Sequence, residues 1–308
     1  MKPIILVSDI IQGHMLASFK QLGTCVPIAD ANNATEASVV IATAFDALDA
    51  NAIAGLPDSV RLISNIGAGV DKIDLEAAKE KGIAVTNTPI VADDTADLAF
   101  ALLLATMRKT SYSEYFLRQN DWATAGSIMG VTPRGKTLGI IGAGAIGSAM
   151  ARRAQAFGLK LCYHGPNQKP ALEQELDIQF EPTLEGLLAK SDVISLHCPL
   201  TESTRHCINA TSIASMKAGA FIINTGRGPL INEQDLVDAL NLGHIGGAGL
   251  DVFENEPQVH PDLLTNPHVT LTAHIGGATP ECRTAIVKQA IDNAAQYLST
   301  GALNNRVI

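Results

Sequence analysis

Lys136–His164 reads KTLGIIGAGAIGSAMARRAQAFGLKLCYH, and this stretch decides the fold. It opens on a short apolar run, Thr137–Ile141, of the length a buried strand has. Gly142-Ala143-Gly144-Ala145-Ile146-Gly147 follows, in the pattern G-x-G-x-x-G. Ile146, Met150, Ala154 and Phe157 then recur at helical spacing, and a second strand-like run, Leu159–Tyr163, comes after Gly158. The glycines therefore sit on a turn from a strand into a helix. Gly142 permits the tight turn, Gly144 lets the backbone approach a pyrophosphate, and Gly147 lets helix and strand pack closely. Free N–H groups at the helix start would face the phosphates. Strand, glycines, helix and next strand together predict dinucleotide binding rather than a purely structural turn.

In an NAD site an Asp or Glu lies about 20 residues beyond the first glycine, on the adenosine ribose. Here the second strand ends in Tyr163-His164-Gly165-Pro166-Asn167-Gln168-Lys169, and no acid occurs between Gly142 and Glu173. A carboxylate would repel a 2′-phosphate, so its absence permits NADP. The Arg that usually holds that phosphate is also missing, which leaves His164, Asn167 and Lys169 as candidates; Lys binds phosphate as a point charge. The expectation is NADP(H) in preference to NAD(H), with NAD(H) still accepted.

A chain of 308 residues suggests two domains with ample core, and 46% apolar and 17% charged residues describe a soluble globular enzyme. A net charge of −9 argues against nucleic-acid or polybasic membrane partners. The five cysteines form no C-x-x-C pair, which predicts reduced thiols and no metal site. MKPIILVSDI has too short an apolar run for a signal peptide and reads as a first strand, so the expected location is cytoplasmic.

Residues 1–92 alternate strand-like runs (Ile4–Val7, Val39–Ala42, Arg61–Asn65, Ala84–Thr86) with helical patterns such as Asp74–Lys81, which predicts a parallel sheet with helices on both faces. The loop Asn65-Ile66-Gly67-Ala68-Gly69-Val70-Asp71 follows a strand, and its small residues would expose backbone N–H groups to an anion. Thr43 and Ala44, after another strand, are candidates for lining the substrate pocket. Asp93–Gln119 reads as one long helix, with Asp93 or Asp94 as cap. Its apolar residues nearly encircle it through Met107, so an inter-domain or subunit contact should cover them. Trp122, the single Trp, reads as a packing anchor.

The α/β rhythm then resumes. Strands Asp192–His197, Ala220–Asn224, Gly247–Leu250 and Val269–Thr272 alternate with helices at Leu184–Lys190 and Glu233–Leu242, and Cys282–Leu298 forms a last helix. Cys198-Pro199, Thr225-Gly226-Arg227, Asp251 to Glu256 and His274-Ile275-Gly276 lie just past successive strands. Open α/β sheets place the dinucleotide at that edge. An Arg, a Glu and a His beside a dinucleotide suit reduction of a 2-oxo acid. Arg227 would hold the carboxylate by bidentate hydrogen bonds. His274 would donate the proton. Glu256, in competition with Glu254, would orient the imidazole and favour its charged form. Asp251 is a candidate for the nicotinamide carboxamide. His274 and His197 both have a plain structural reading as well.

Four motifs together resemble the D-isomer-specific 2-hydroxyacid dehydrogenases: Gly142 to Gly147, Asn224-Thr225-Gly226-Arg227-Gly228, Gly249-Leu250-Asp251-Val252-Phe253-Glu254-Asn255-Glu256-Pro257 and Ala273-His274-Ile275-Gly276-Gly277. Within that family the chain is most similar to glyoxylate/hydroxypyruvate reductases, including 2-ketogluconate reductases. The resemblance implies Arg227, Glu256 and His274 as catalytic residues, and Ala68 and Gly69 with Arg227 on the substrate carboxylate. It implies cofactor contacts from Thr95, Thr225 and Asp251. These join Gly142, Gly144, Ala145, Ile146, Gly147, His164, Gly165, Asn167, Lys169, Cys198, Pro199, Gly226, His274 and Gly276 as the candidate cofactor set. It further implies NADPH preference and a homodimer. Two departures, Ala145 for a commonly larger polar or basic residue and Pro166-Asn167 where Arg is frequent, make the expected preference for NADPH modest. The expected architecture is two doubly wound parallel-sheet α/β domains. One is a flavodoxin-like substrate domain of residues 1–93 plus 277–308, the other a Rossmann cofactor domain of residues 94–276, with hinge closure over the reactants. A 3-phosphoglycerate dehydrogenase or a non-catalytic dinucleotide sensor would be the alternatives.

Overall fold

The strands are apolar runs buried on both faces, as parallel sheets covered by helices require. AFIIN at Ala220–Asn224 and LISNI at Leu62–Ile66 are buried at every residue. This computed structural model describes residues 2–308, and Met1, at the head of the expected first strand region, lies outside the described residues. Contacts divide the chain into two units: Met1–Val91 with Gly277–Ile308, and Ala92–Gly276.

The first unit carries five strands, β1 (Ile4–Val7), β2 (Thr24–Pro27), β3 (Ala37–Thr43), β4 (Leu62–Ile66) and β5 (Ala84–Thr86), all parallel in the order β2-β1-β3-β4-β5. That is the flavodoxin-like order. Side chains alternate across the sheet. Ile5, Val7, Ile41 and Leu62 pack with Ala290 and Ala294 of the helix Pro280–Thr300. Leu6, Val40, Ile63 and Val85 pack on the other face with Ile53 and Ala78, from the helices Ala50–Ala54 and Leu75–Glu80.

The second unit carries seven parallel strands: β6 (Thr137–Ile141), β7 (Lys160–His164), β8 (Gln179–Phe180), β9 (Val193–Leu196), β10 (Ala220–Asn224), β11 (Ile245–Leu250) and β12 (Val269–Leu271). Their order is β12-β11-β10-β9-β6-β7-β8. Counted from the glycine-rich turn this is the doubly wound order 3-2-1-4-5-6 with β12 added outside. The order reverses between β6 and β9, and all carboxyl ends share one edge. The chain thus forms the two parallel-sheet α/β units that its rhythm predicts. β2 and β8 are edge strands without a strong apolar pattern, and neither is visible in the sequence.

Asp93–Gln119 is not one helix. It is Ala92–Arg108 and Thr110–Arg118, broken at Lys109, which sits at φ 53. The Met107 carbonyl, needed to continue the first helix, instead accepts from Val131 N–H at 2.7 Å. A Cβ on Gly130 would lie 2.8 Å from Arg108 Cα, so the returning strand of chain occupies the space where the helix would continue. Asp93 and Asp94 fall in the first turn of Ala92–Arg108, where negative charge suits the helix dipole. The apolar surround of this helix is covered mostly from within its own unit. Ala96, Ala99, Phe100, Leu103 and Met107 are buried with Met150 and Ala154. Gly249 of β11 lets Thr106 come so close that a Cβ there would be 2.8 Å from its Oγ1. Trp122 is no packing anchor: it stands 77% exposed at the start of the helix Trp122–Ser127.

Candidate active site

The turn after β6 is shaped by space as much as by conformation. Gly142 adopts φ 92, and a Cβ on it would lie 2.6 Å from Cys198 N, so the turns after β6 and β9 meet at the point where the strand order reverses. A Cβ on Gly147 would lie 2.2 Å from the Gly142 carbonyl. Gly144 caps the helix Ala145–Ala156 without any side-chain hydrogen bond, and a Cβ there would meet nothing within 4 Å. Among the described residues nothing accepts from the N–H groups of Ala145 and Ile146 at the start of this helix. Past β10, Thr225 Oγ1 is buried with no partner among the described residues. An uncapped helix N-terminus, an open cradle and an orphaned hydroxyl on one sheet edge fit a dinucleotide.

At the end of β7, His164 Nδ1 lies 2.9 Å from the Glu181 carbonyl. Glu173, in the first turn of the helix Pro170–Leu176, is tied back to the end of β7. Its carboxylate accepts from Tyr163 Oη at 2.6 Å and from Gln168 Nε2 at 3.0 Å, and the Tyr163 bond leads in holding it below the usual carboxylate range. The Lys169 N–H donates to Tyr163 Oη at 2.6 Å. Pro166–Lys169 is exposed, and a Cβ on Gly165 would meet nothing within 4 Å.

Three turns on the other side of the sheet edge carry the chemistry. Asn224, fully buried, shapes the first: its Oδ1 accepts from Gly226 N at 3.0 Å and its Nδ2 donates to the Arg227 carbonyl at 2.9 Å. Arg227 follows, with one guanidinium N–H on the Gly226 carbonyl at 2.8 Å. Asp251, 1% exposed, shapes the next turns. Its Oδ1 accepts from Thr272 Oγ1 at 2.6 Å and Ile275 N at 2.8 Å, its Oδ2 from Gly276 N at 2.9 Å, and its carbonyl from His274 N at 2.7 Å. These bonds hold His274 at φ 51, a left-handed backbone that histidine adopts more readily than most residues. Thr95 Oγ1 donates to the Gly276 carbonyl at 3.3 Å.

His274 Nδ1 lies 2.8 Å from Glu256 Oε2, and the other carboxylate oxygen accepts from Phe253 N at 3.0 Å. Burial opposes charge on Glu256. The His274 hydrogen bond, the Phe253 N–H and the charges of His274 and Arg227 outweigh it and hold the carboxyl below the usual range. An ionised carboxylate only accepts, so Nδ1 is the donor in this bond, and Nε2 is the ring nitrogen that can exchange a proton with a substrate. Glu254 is engaged elsewhere, 2.6 Å from His206 Nε2. His197, at the end of β9, is a different kind of histidine. Its Nε2 is 2.8 Å from Ser195 Oγ, and burial lowers it from 6.5 to about 4. It is neutral at physiological pH, and protonating it opposes folding as the pH falls through that window.

In the first unit, the loop after β4 has its carbonyls tied down. Asn65 Nδ2 donates to Gly67 O at 3.3 Å and Gly69 O at 2.9 Å, and Asn87 Nδ2 to Ala68 O at 2.7 Å. The N–H groups of Ala68 and Gly69 meet no acceptor among the described residues. Asn65 and Asn87 were not singled out by sequence; their one signal is an amide side chain at a strand end. Thr43 is buried, and its Oγ1 donates to Asp46 Oδ2 at 2.7 Å, which ties the loop after β3 together. Among the described residues no cluster of His, Cys, Asp and Glu could hold a metal, and no helix is long and apolar enough to cross a membrane.

Comparison with known proteins gives this geometry a family. Residues 100–276 match the D-isomer specific 2-hydroxyacid dehydrogenase, NAD binding domain. A glyoxylate reductase of Thermococcus litoralis is 40% identical over 269 residues, which span 85% of this chain and 81% of that protein. The crystal structure of a glyoxylate reductase from Paecilomyes thermophila superposes with a TM-score of 0.92 at 36% identity, covering 99% of this chain and 98% of that one. That of the NADPH-dependent glyoxylate/hydroxypyruvate reductase of Sinorhizobium meliloti, in complex with NADP and malonate, gives 0.92 at 35% identity over 100% of this chain and 97% of that one. The chain belongs to the D-isomer specific 2-hydroxyacid dehydrogenases and takes a nicotinamide dinucleotide.

Proposed function

We propose that the protein reduces a small 2-oxo acid, glyoxylate or hydroxypyruvate with 2-ketogluconate as a larger candidate, to the D-2-hydroxy acid. The observation that carries this reading is the 2.8 Å contact between His274 and Glu256 on the sheet edge that bears the dinucleotide turn. When bound, the reduced nicotinamide supplies the hydride. Arg227 binds the carboxylate and polarises the adjacent carbonyl. The Ala68 and Gly69 N–H groups take the carboxylate's remaining oxygen lone pairs. His274 Nε2–H gives its proton to the carbonyl oxygen as the carbon becomes tetrahedral, and Glu256 stabilises the imidazolium before transfer. The Asp251 carboxylate accepts three bonds from the turn after β12 and has one lone-pair site left for the carboxamide amine. Oxidation of NADPH and NADH with a panel of these 2-oxo acids, compared by kcat/KM, tests the reading. No oxidation with any of them overturns it.

Glu256→Gln should shift the alkaline limit of reduction to lower pH. The neutral amide removes the charge that favours the imidazolium, so His274 loses its proton earlier as pH rises. A pH profile of kcat/KM checks this, and an unshifted limit removes Glu256 from the role.

We infer a modest preference for NADPH. No acid faces the ribose, so NADH forgoes charge-assisted hydrogen bonds worth roughly 1.5–3 kcal/mol. The 2′-phosphate meets only His164, Asn167, Lys169 and backbone. Gly165→Asp supplies the missing acceptor, and the space at that Cβ accommodates it. The variant should favour NADH; KM for both cofactors in both proteins decides, and an unchanged ratio misplaces the ribose.

A homodimer completes the proposal. Three large apolar side chains on and after the helix Thr110–Arg118 are exposed: Tyr115 (59%), Trp122 (77%) and Met129 (82%). A partner surface over this segment would take such side chains out of water. Sedimentation of the wild type and Trp122→Lys should give a dimer and a weakened dimer respectively.

A further inference from the structure

The turn that carries Glu256 is held by two carboxylates with no place in the chemistry above. Glu254 N–H donates to Glu233 Oε1 at 2.7 Å, and Glu233 N–H donates back to Glu254 Oε2 at 3.4 Å. Each acid thus binds the other's backbone. Glu233 begins the helix Glu233–Asn241 and is 6% exposed, so one end of this clamp is fixed to a packed element. Two acids so close repel each other. Arg205 at 3.5 Å offsets part of the charge of Glu254, whose Oε1 also lies 2.6 Å from His206 Nε2. Burial pushes Glu233 up; the Glu254 N–H bond opposes it, and the charges of Glu254 and Glu256 add to burial while that of His260 works against it. From below, Gly228 presses on the same turn: a Cβ there would lie 1.9 Å from the Phe253 carbonyl oxygen. Phe253 N–H is also the donor to Glu256 Oε1. The clamp therefore fixes Phe253 and Glu254, and through them the direction of the Glu256 carboxylate.

We propose that Glu233 is a positioning residue for 2-oxo acid reduction, which locks the turn 253–256 through Glu254 so that Glu256 Oε2 meets His274 Nδ1. This rests on the reading of the site as a 2-oxo acid reductase. A wild type inactive with every 2-oxo acid defeats that reading before any variant is made. The test compares Glu233→Ala, Glu233→Asp and Glu233→Gln in the full-length enzyme. Alanine removes the acceptor for Glu254 N–H, aspartate withdraws it by one methylene while keeping charge in a helix first turn, and glutamine keeps an amide oxygen in place. Glu233→Ala should lower kcat about ten- to hundred-fold, the scale of a slightly misplaced catalytic group. Its alkaline limit should move to lower pH, in the same sense as Glu256→Gln, with the Kd for NADPH unchanged. Aspartate should show the same shift in smaller measure, and glutamine should restore both turnover and profile. If the alanine variant does not fold, the aspartate and glutamine pair decides alone. Wild-type turnover and profile in Glu233→Asp, or a loss in Glu233→Gln equal to that in Glu233→Asp, overturns the inference.

Discussion

Arg227→Ala should lower kcat/KM for the 2-oxo acid by about two to four orders of magnitude. Two charge-assisted hydrogen bonds are lost, at roughly 1.5–3 kcal/mol each, with about 1.4 kcal/mol per factor of ten. The Arg227 backbone is fixed by Asn224 and its side chain by the Gly226 carbonyl, so the guanidinium is held before substrate arrives. Lysine should recover only part, since it offers a point charge in place of a planar fork. Loss of Arg227 also withdraws a positive charge that helps keep Glu256 ionised, so the variant should show a disturbed pH profile as well. Steady-state kinetics with a 2-oxo acid and with a neutral 2-oxo amide analogue separates carboxylate binding from general damage. Equal losses on both substrates, or near-normal kcat/KM on the acid, would remove Arg227 from the site.

His274→Ala should lower kcat by about 10²–10⁴, the usual worth of a positioned proton donor. The backbone turn is held by Asp251 through three N–H or carbonyl bonds that involve no imidazole atom. The variant should therefore fold and bind NADPH as the wild type does, which cofactor fluorescence titration measures. Because the lost group acts on protons, the residual rate should lose its dependence on the alkaline limit. A variant with an intact bell-shaped profile would transfer proton donation to another group. His197 is a poor substitute, since burial keeps it neutral above about pH 4.

What the sequence disclosed follows from how local its determinants are. β6, β10 and the turn between β6 and its helix show as contiguous apolar runs and a short glycine pattern, and the strand bounds match the sequence pattern, although Gly142 is required by its contact with the distant Cys198. The partner of the imidazole was open between Glu254 and Glu256; only the packing of Gly228 under Phe253 and the pull of His206 on Glu254 decide it. Asp251 stood out as a strand-end acid, but its task of binding three groups of a turn more than twenty residues on arises from the pairing of β11 with β12. The break at Lys109 was invisible for the same reason: Val131, which takes the Met107 carbonyl, is distant in the chain. Asn224 lay in a motif without a role because its amide acts on backbone atoms that a motif does not show.

The division of the chain sets an order of events during synthesis. Residues 92–276 are contiguous and carry every strand of their own sheet, so that unit can close as soon as β12 leaves the ribosome. The sheet of the first unit cannot: Ile5, Val7, Ile41 and Leu62 are covered by Ala290 and Ala294, some two hundred residues downstream. At the usual elongation speed that face waits on the order of ten seconds or more, with an apolar surface open to water. The nascent chain would thus carry a finished nucleotide-binding body beside a half-covered sheet. Holdase chaperones and misassembly would find their target in β1–β5, and the last helix to be made would be the step that ends the exposure.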